Sequence, residues 1–142
     1  MGEMSGSGTM DGFIYKRLIV WQKAMMFWKL IYAEVKKFPA EERYALCDQV
    51  RRAAVSVPSN IAEGAGRAGN KDYAHFLAIA RGSMFETVTQ LEGAEMLGYI
   101  EIPDELKDLA DEISRMLTAM LKKFDAIQCP TPTVTRSGSG RT

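Results

Sequence analysis

Cys47, Val50, Ala54, Val57 and Ile61 step along the chain by three, four, three and four, and Pro58 falls inside the run. That spacing is one face of a helix meeting a partner helix. A proline in a helix interior removes a hydrogen bond and crowds the preceding turn, at about 3 kcal/mol. One reading is a break, with Pro58 opening a new helix. Against it, Val57 and Ile61 keep the phase of Cys47 and Val50 across the proline, which a loop does not require. The stripe predicts a continuous helix bent at Pro58, with Val57 and Ile61 both facing the core.

The polar residues around this stripe fall on other faces. Arg52, Ser56, Ser59, Asn60 and Glu63 share a broad sector. Ser56 or Ser59 is expected to satisfy the carbonyl that Pro58 leaves without a donor. Gly64 and Gly66 provide an exit from the helix, with Arg67 near the negative end of its dipole.

The remaining ordered chain has plainer helical periodicity. A first helix is predicted from about Tyr15 to Lys37, with one stripe of Trp21, Ala24, Trp28, Ile31 and Val35 and a second of Val20, Phe27 and Tyr32. Apolarity on two sides suggests burial against a neighbouring subunit, so Val20, Trp21, Phe27 and Trp28 are the candidate oligomer interface. Pro39, Glu41 and Glu42 suit the start of the second helix, which runs to about Ala65. Asn70 is the expected N-cap of a third helix along Tyr73, Leu77, Ala80, Met84, Thr87, Leu91, Ala94 and Gly98. Gly82, Ser83 and Gly93 are small enough to admit a close neighbour. Pro103, Asp104 and Glu105 open a fourth helix along Leu106, Leu109, Ile113, Met116, Met120, Phe124 and Ile127. Four helices on short connections predict an all-α, antiparallel up-down-up-down four-helix bundle with a long kinked second helix. The bundle is assigned residues 13–128, between a disordered N-terminal segment, 1–12, and a disordered C-terminal tail, 129–142. Both ends carry linker-like SGSG.

A chain of 142 residues supports one domain. Its formal net charge of zero gives no global pull toward nucleic acid or membrane. The charge is unevenly distributed, however. From Lys16 to Arg81 there are 12 Lys/Arg against 6 Asp/Glu, whereas Glu86 to Glu112 holds 9 acids and only Lys107 as a base. A dipolar subunit with a basic and an acidic face follows. Cys47 in a helical stripe and Cys129 in the tail suggest neither a disulfide framework nor a metal site. The N-terminus lacks a signal-peptide pattern and no apolar run approaches a membrane span, so a cytoplasmic protein without membrane contact is expected.

Catalytic chemistry is not indicated. His75 is the only histidine, leaving no second imidazole for a metal site or a Cys–His couple. GAGRAG follows a helix, whereas glycine-rich phosphate loops follow strands. Glu63, Glu86, Glu92 and Glu95 lack the Glu-x-x-His pairs of di-iron bundles and suit a solvated face better. The expectation is no enzyme, no metal and no cofactor. The best functional candidates are basic: Arg51, Arg52, Arg67, Lys71 and Arg81 around the second and third helices, with Lys16, Arg17 and Lys23 on the first. Arginine suits bidentate phosphate contact and lysine adds point charge, so nucleic acid would be held by its backbone. The rival reading places these side chains in ordinary solvation or in ion pairs with Asp48, Glu63, Asp72 or Glu86. Arg52 is the one least expected to be free.

LIVWQKA, IYAEVKKFPAEERYAL, QVRRAAVSVPSNIAEGAGR, YAHFLAIARGSMFET and LGYI resemble proteins encoded in intervening sequences of bacterial large-subunit ribosomal RNA genes. The similarity covers about Tyr15 to Phe124, and the RRAAVS-PSNIAEG core is its most specific part. The resemblance implies an antiparallel four-helix bundle that assembles as a homopentamer, with a long kinked second helix. More distant relatives resemble the accessory variability determinant of diversity-generating retroelements, a basic pentameric barrel that works with a reverse transcriptase and its template RNA. This chain departs from that relative in its zero net charge.

Taken together, these features suggest a non-enzymatic oligomeric bundle that binds RNA or a ribonucleoprotein through a basic face. The alternative is a protein-interaction accessory subunit, for example of a reverse transcriptase, without direct nucleic-acid contact.

Overall fold

The computed structural model describes residues 12–128, with side chains to residue 125; residues 1–11 and 129–142, and the expectations placed on them, lie outside it. A 3-10 turn, Ile14–Arg17, leads into α1, Ile19–Val35; a second, Ala40–Glu42, precedes α2, Leu46–Ala65. Then come α3, Asn70–Met96, and α4, Asp104–Gln128. The described residues contain no strand. Helix α1 packs on α2 and α4, and α3 on α2 and α4, so the four close into a bundle around one core.

Pro58 lies inside α2, and Cys47, Val50, Ala54, Val57 and Ile61 are all buried. Ser56, however, does not serve the carbonyl opened by the proline. Its Oγ accepts from Asn60 Nδ2 and from Ser83 Oγ of α3, both at 2.8 Å. Thr87 Oγ1, fully buried, donates to the Ser83 carbonyl at 2.7 Å. The polar side of the stripe thus forms a hydrogen-bonded seam between α2 and α3, which satisfies groups that are costly to bury unpaired.

Two stripes differ from the periodic reading. On α1 the core line is Val20, Ala24, Phe27, Ile31 and Val35, with Val20 2% and Phe27 0% exposed. Val20 and Phe27 are therefore inside the subunit and not at an oligomer interface; Trp21 and Trp28 are half-buried beside the core. The two-sided apolarity of α1 arises because one line fills the core while the neighbouring indoles cover its edge. On α4, Ala110 and Leu117 are buried, whereas Leu109, Met116, Met120 and Phe124 are partly buried around them.

Helix boundaries also move. Pro39 opens the 3-10 turn, and α2 begins seven residues later than expected. Glu42 performs the capping: its Oε1 accepts the Leu46 N–H at 3.3 Å, at the positive end of α2. Asn70 is the first helical residue of α3, after Gly69. At the far end of α3, Gly98 has φ 81°, the left-handed conformation that glycine adopts most readily. Gly98 N–H bonds to the Glu95 carbonyl and Tyr99 N–H to that of Ala94, both at 2.9 Å, and the helix stops.

Glycine placement is another correction. A Cβ at Gly82 or Gly93 would meet nothing within 4 Å, so neither admits a close neighbour. Gly64 does: its Cβ would lie 3.0 Å from Phe76 Cβ and Tyr73 Cδ1. Gly82→Ala and Gly93→Ala should each stabilise the fold by about 0.5–1 kcal/mol through helix propensity alone, read as a rise in the urea midpoint.

Two loops meet at one end of the bundle. Tyr99 donates its hydroxyl to Glu42 Oε2 at 2.7 Å, joining the α3–α4 connection to the α1–α2 connection. That hydrogen bond, with burial and the nearby carboxylates, pushes the phenol pKa up from its usual value. A raised folded-state pKa stabilises below the unfolded pKa and loses that contribution as pH rises through the folded one. Tyr99→Phe should accordingly lower Tm at neutral pH, and the gap from wild type should close in alkaline buffer above the tyrosine range.

Candidate functional site

Contacts between neighbours pair rising residue numbers with falling ones. Cys47 Sγ meets the Val35 carbonyl and Arg51 covers the Tyr32 ring; Ser56 meets Ser83 and Gly64 meets Tyr73. Tyr73 packs on Phe124, Arg81 bonds Thr118, and Glu95 bonds Ile102. One end of the bundle is therefore built from the 3-10 turn before α1, the α2–α3 turn and the C-terminal turns of α4. That end carries Lys16, Arg17, Arg67, Lys71, Lys122 and Lys123 against Glu63, Asp72 and Asp125. The opposite end carries Glu41, Glu42, Glu92, Glu95, Glu101, Asp104 and Glu105 against Lys36, Lys37, Arg43 and Lys107. The two poles lie along the bundle axis, which sequence order alone does not reveal.

The five predicted basic residues do not form one cluster. Arg51 and Arg52 sit roughly 20 Å along the axis from the C-terminal end of α2, where Arg67 and Lys71 lie. Arg51 is half-buried, 3.6 Å from Asp48 Oδ1 and 5.6 Å from the Tyr32 ring centroid. Arg67 bonds Glu63 Oε2 at 2.7 Å and lies 4.7 Å from the Phe76 ring centroid, a cation–π contact. Arg81 is half-buried, donating to Thr118 Oγ1 at 3.3 Å. Arg52 and Lys71 are exposed, with no ion pair to a described residue. Arg52, the least promising by sequence, is thus among the most available. Two of the partners named by the rival reading are found: Glu63 is taken by Arg67, and Arg51 pairs with Asp48, while no ion pair joins either of Arg51 and Arg52 to Glu63 or Glu86 among the described residues. Lys23 pairs with Glu112 at 3.1 Å.

No group of three metal-ligating side chains occurs among the described residues. Glu95 accepts the Ile102 N–H at 3.0 Å, a structural role. His75 is exposed, with its ring edge-on to Phe76. Burial pushes the Cys47 thiol pKa up, which suits a core residue and opposes reactivity. No helix among the described residues is long and apolar enough to cross a membrane.

Two grooves mark the surface. One, of about 320 Å³, runs between the first 3-10 turn, α1 and α2, and is lined by Tyr15, Trp21, Met25, Trp28, Val55 and Pro58 among others. The other, of about 640 Å³, lies between α3 and α4, lined by Val88, Leu91, Ile102 and Leu106 and by the charged Glu92, Glu95, Asp111 and Lys107 among others. Neither is visible in the sequence, because each combines residues from separate helices.

The model of the 23S rRNA-intervening sequence protein family matches residues 16–119. The chain belongs to that family. The match runs from within the first 3-10 turn through most of α4 and so takes in most of the bundle and both grooves except Tyr15. A solved structure from Bacteroides thetaiotaomicron, a protein of unknown function from the S23 ribosomal protein family, is 24% identical. The alignment covers 77% of this chain and 97% of that one, with a TM-score of 0.55, a likeness of fold. No curated protein matches the chain.

Proposed function

We propose that this family member is a non-enzymatic, cytoplasmic, oligomeric bundle that binds RNA or a ribonucleoprotein through its basic end. The observation that carries this reading is the convergence of Lys16, Arg17, Arg67, Lys71, Lys122 and Lys123 from three separate segments onto one pole. A subunit of zero net charge can hold phosphates there because six bases face three acids at that end, while the larger group of acids lies at the other pole, beyond a Debye length of about 8 Å. The family's name, from intervening sequences of 23S ribosomal RNA, supports a nucleic-acid setting.

The opposed numbering of the helix contacts supports an antiparallel up-down-up-down course, and Pro58 within α2 supports a bend there. The homo-oligomer is part of the same reading, with five copies as the number the family resemblance implies. Ile19, Met26, Phe85, Met96 and Leu97 are among the exposed apolar side chains available for it. Repetition of a weak phosphate site around such a ring multiplies its affinity.

The groove between α3 and α4 favours a second reading, an accessory subunit that docks a protein such as a polymerase. Its apolar lining, with three acids against Lys107, suits a cationic segment. Affinity purification with and without nuclease separates the two. The RNA reading expects RNA in the eluate and loss of co-purifying proteins after nuclease. A protein retained in stoichiometric amount after complete nuclease digestion contradicts it and supports docking.

A further inference from the structure

The groove between α1 and α2 joins two chemistries that the sequence keeps apart. Its aromatic wall is formed by Tyr15, Trp21 and Trp28 with Met25 among them: Tyr15 and Trp21 lie edge-on at 5.0 Å between ring centroids, and Trp28 is tilted at 5.2 Å against Tyr32 beyond the groove. All four rings are partly exposed. Cations occupy positions neighbouring the lining residues, outside the lining itself. Lys16 and Arg17 stand at its end beside Tyr15; Lys29 follows Trp28 toward solvent, and Arg52 lies one turn before Val55 on the other side. From Ile14 to Ala33 the chain contains no acid. On α2 the nearest acids, Asp48 and Glu63, are engaged by Arg51 and Arg67. The Trp28 Nε1–H is buried with no acceptor among the described residues, so the subunit leaves that donor unused.

We infer that this groove is a stacking platform for single-stranded nucleic acid, with bases laid on Trp21 and Trp28 and phosphates met by Lys16, Arg17, Lys29 and Arg52. Aromatic faces accept any unstacked base, and flanking cations follow the backbone; a duplex, whose bases are already stacked, cannot use the wall. The absence of an unpaired acid on α1 and α2 among the described residues favours a polyanion over a protein partner, for which mixed charge would serve equally well. The inference rests on the RNA-binding reading and names the strand form and the surface.

Trp21 and Trp28 are the only tryptophans in the chain, so intrinsic emission reports on this groove directly. The test titrates the full chain with a single-stranded oligouridylate and with a duplex of equal length, following tryptophan emission alongside filter retention. Single strands should quench the emission saturably and duplex should not. The Lys29→Glu/Arg52→Glu variant, altered only at exposed side chains, should bind the single strand about tenfold more weakly at low salt with unchanged Tm and oligomeric state. Retention of RNA with unchanged emission overturns the groove proposal and leaves the RNA-binding reading standing. No retention of either nucleic acid overturns both. Emission that follows protein concentration and oligomeric state, but not RNA, overturns the proposal by showing that a second copy covers the groove.

Discussion

Replacing Phe27 by alanine should cost about 3–5 kcal/mol, the largest loss expected from a single truncation in this chain. Its ring is 0% exposed, on the core line with Val20, Ala24 and Ile31. The lost transfer energy adds to the energy of a cavity that four packed helices can only partly close. With a native stability of about 5–15 kcal/mol, the variant would retain little margin. The measurement is urea unfolding at two protein concentrations. A core role predicts a large fall in midpoint at both. A role between subunits predicts a loss that shrinks as concentration rises, because mass action restores assembly.

Gly64→Val should be the most damaging change at a residue without a side chain. The Cβ alone would sit 3.0 Å from Phe76 Cβ and Tyr73 Cδ1, and 3.2 Å from the Tyr73 carbonyl oxygen. The Phe76 Cβ and the carbonyl are fixed to the α3 backbone, so α2 and α3 must move apart; valine adds two further methyls. Overpacking of this kind costs about 1–3 kcal/mol, and moving the helices also strains the Ser56–Ser83 hydrogen bond at 2.8 Å. Gly82→Ala serves as the control, since it lies on the same pair of helices with nothing within 4 Å. Thermal unfolding of the two variants should move in opposite directions.

The periodic residues made much of this fold legible. Every member of the Cys47–Ile61 stripe is buried, and Leu77, Ala80, Met84, Thr87, Leu91 and Ala94 are buried on α3 as their spacing implies. Periodicity was less informative where a helix has two apolar faces. On α1 both lines obey helical spacing, and only the shape of the other helices decides that Phe27 goes inward and Trp28 stays at the edge. Glycines were similarly ambiguous, because Gly64 and Gly82 differ in what stands opposite them. For the candidate site, the sequence names basic residues, but several are engaged elsewhere. Arg51, Arg67 and Arg81 each meet a partner whose position depends on local register or on a second helix. The basic pole and the aromatic groove were invisible because they unite the 3-10 turn, α1, the α2–α3 turn and the end of α4, which only folding brings together.

Binding at the basic end has a direct signature in salt. The logarithm of the observed affinity for RNA should fall linearly with the logarithm of salt concentration, with a slope set by the number of phosphates neutralised, about 0.7 per phosphate for single strands. The decisive measurement is that slope for wild type beside Lys71→Glu/Lys122→Glu, two exposed positions at the basic pole, and Lys36→Glu/Lys107→Glu at the acidic pole. The account predicts a flatter slope and weaker binding for the first variant and wild-type behaviour for the second. Equal slopes for all three proteins, or no salt-dependent retention by wild type, would contradict it.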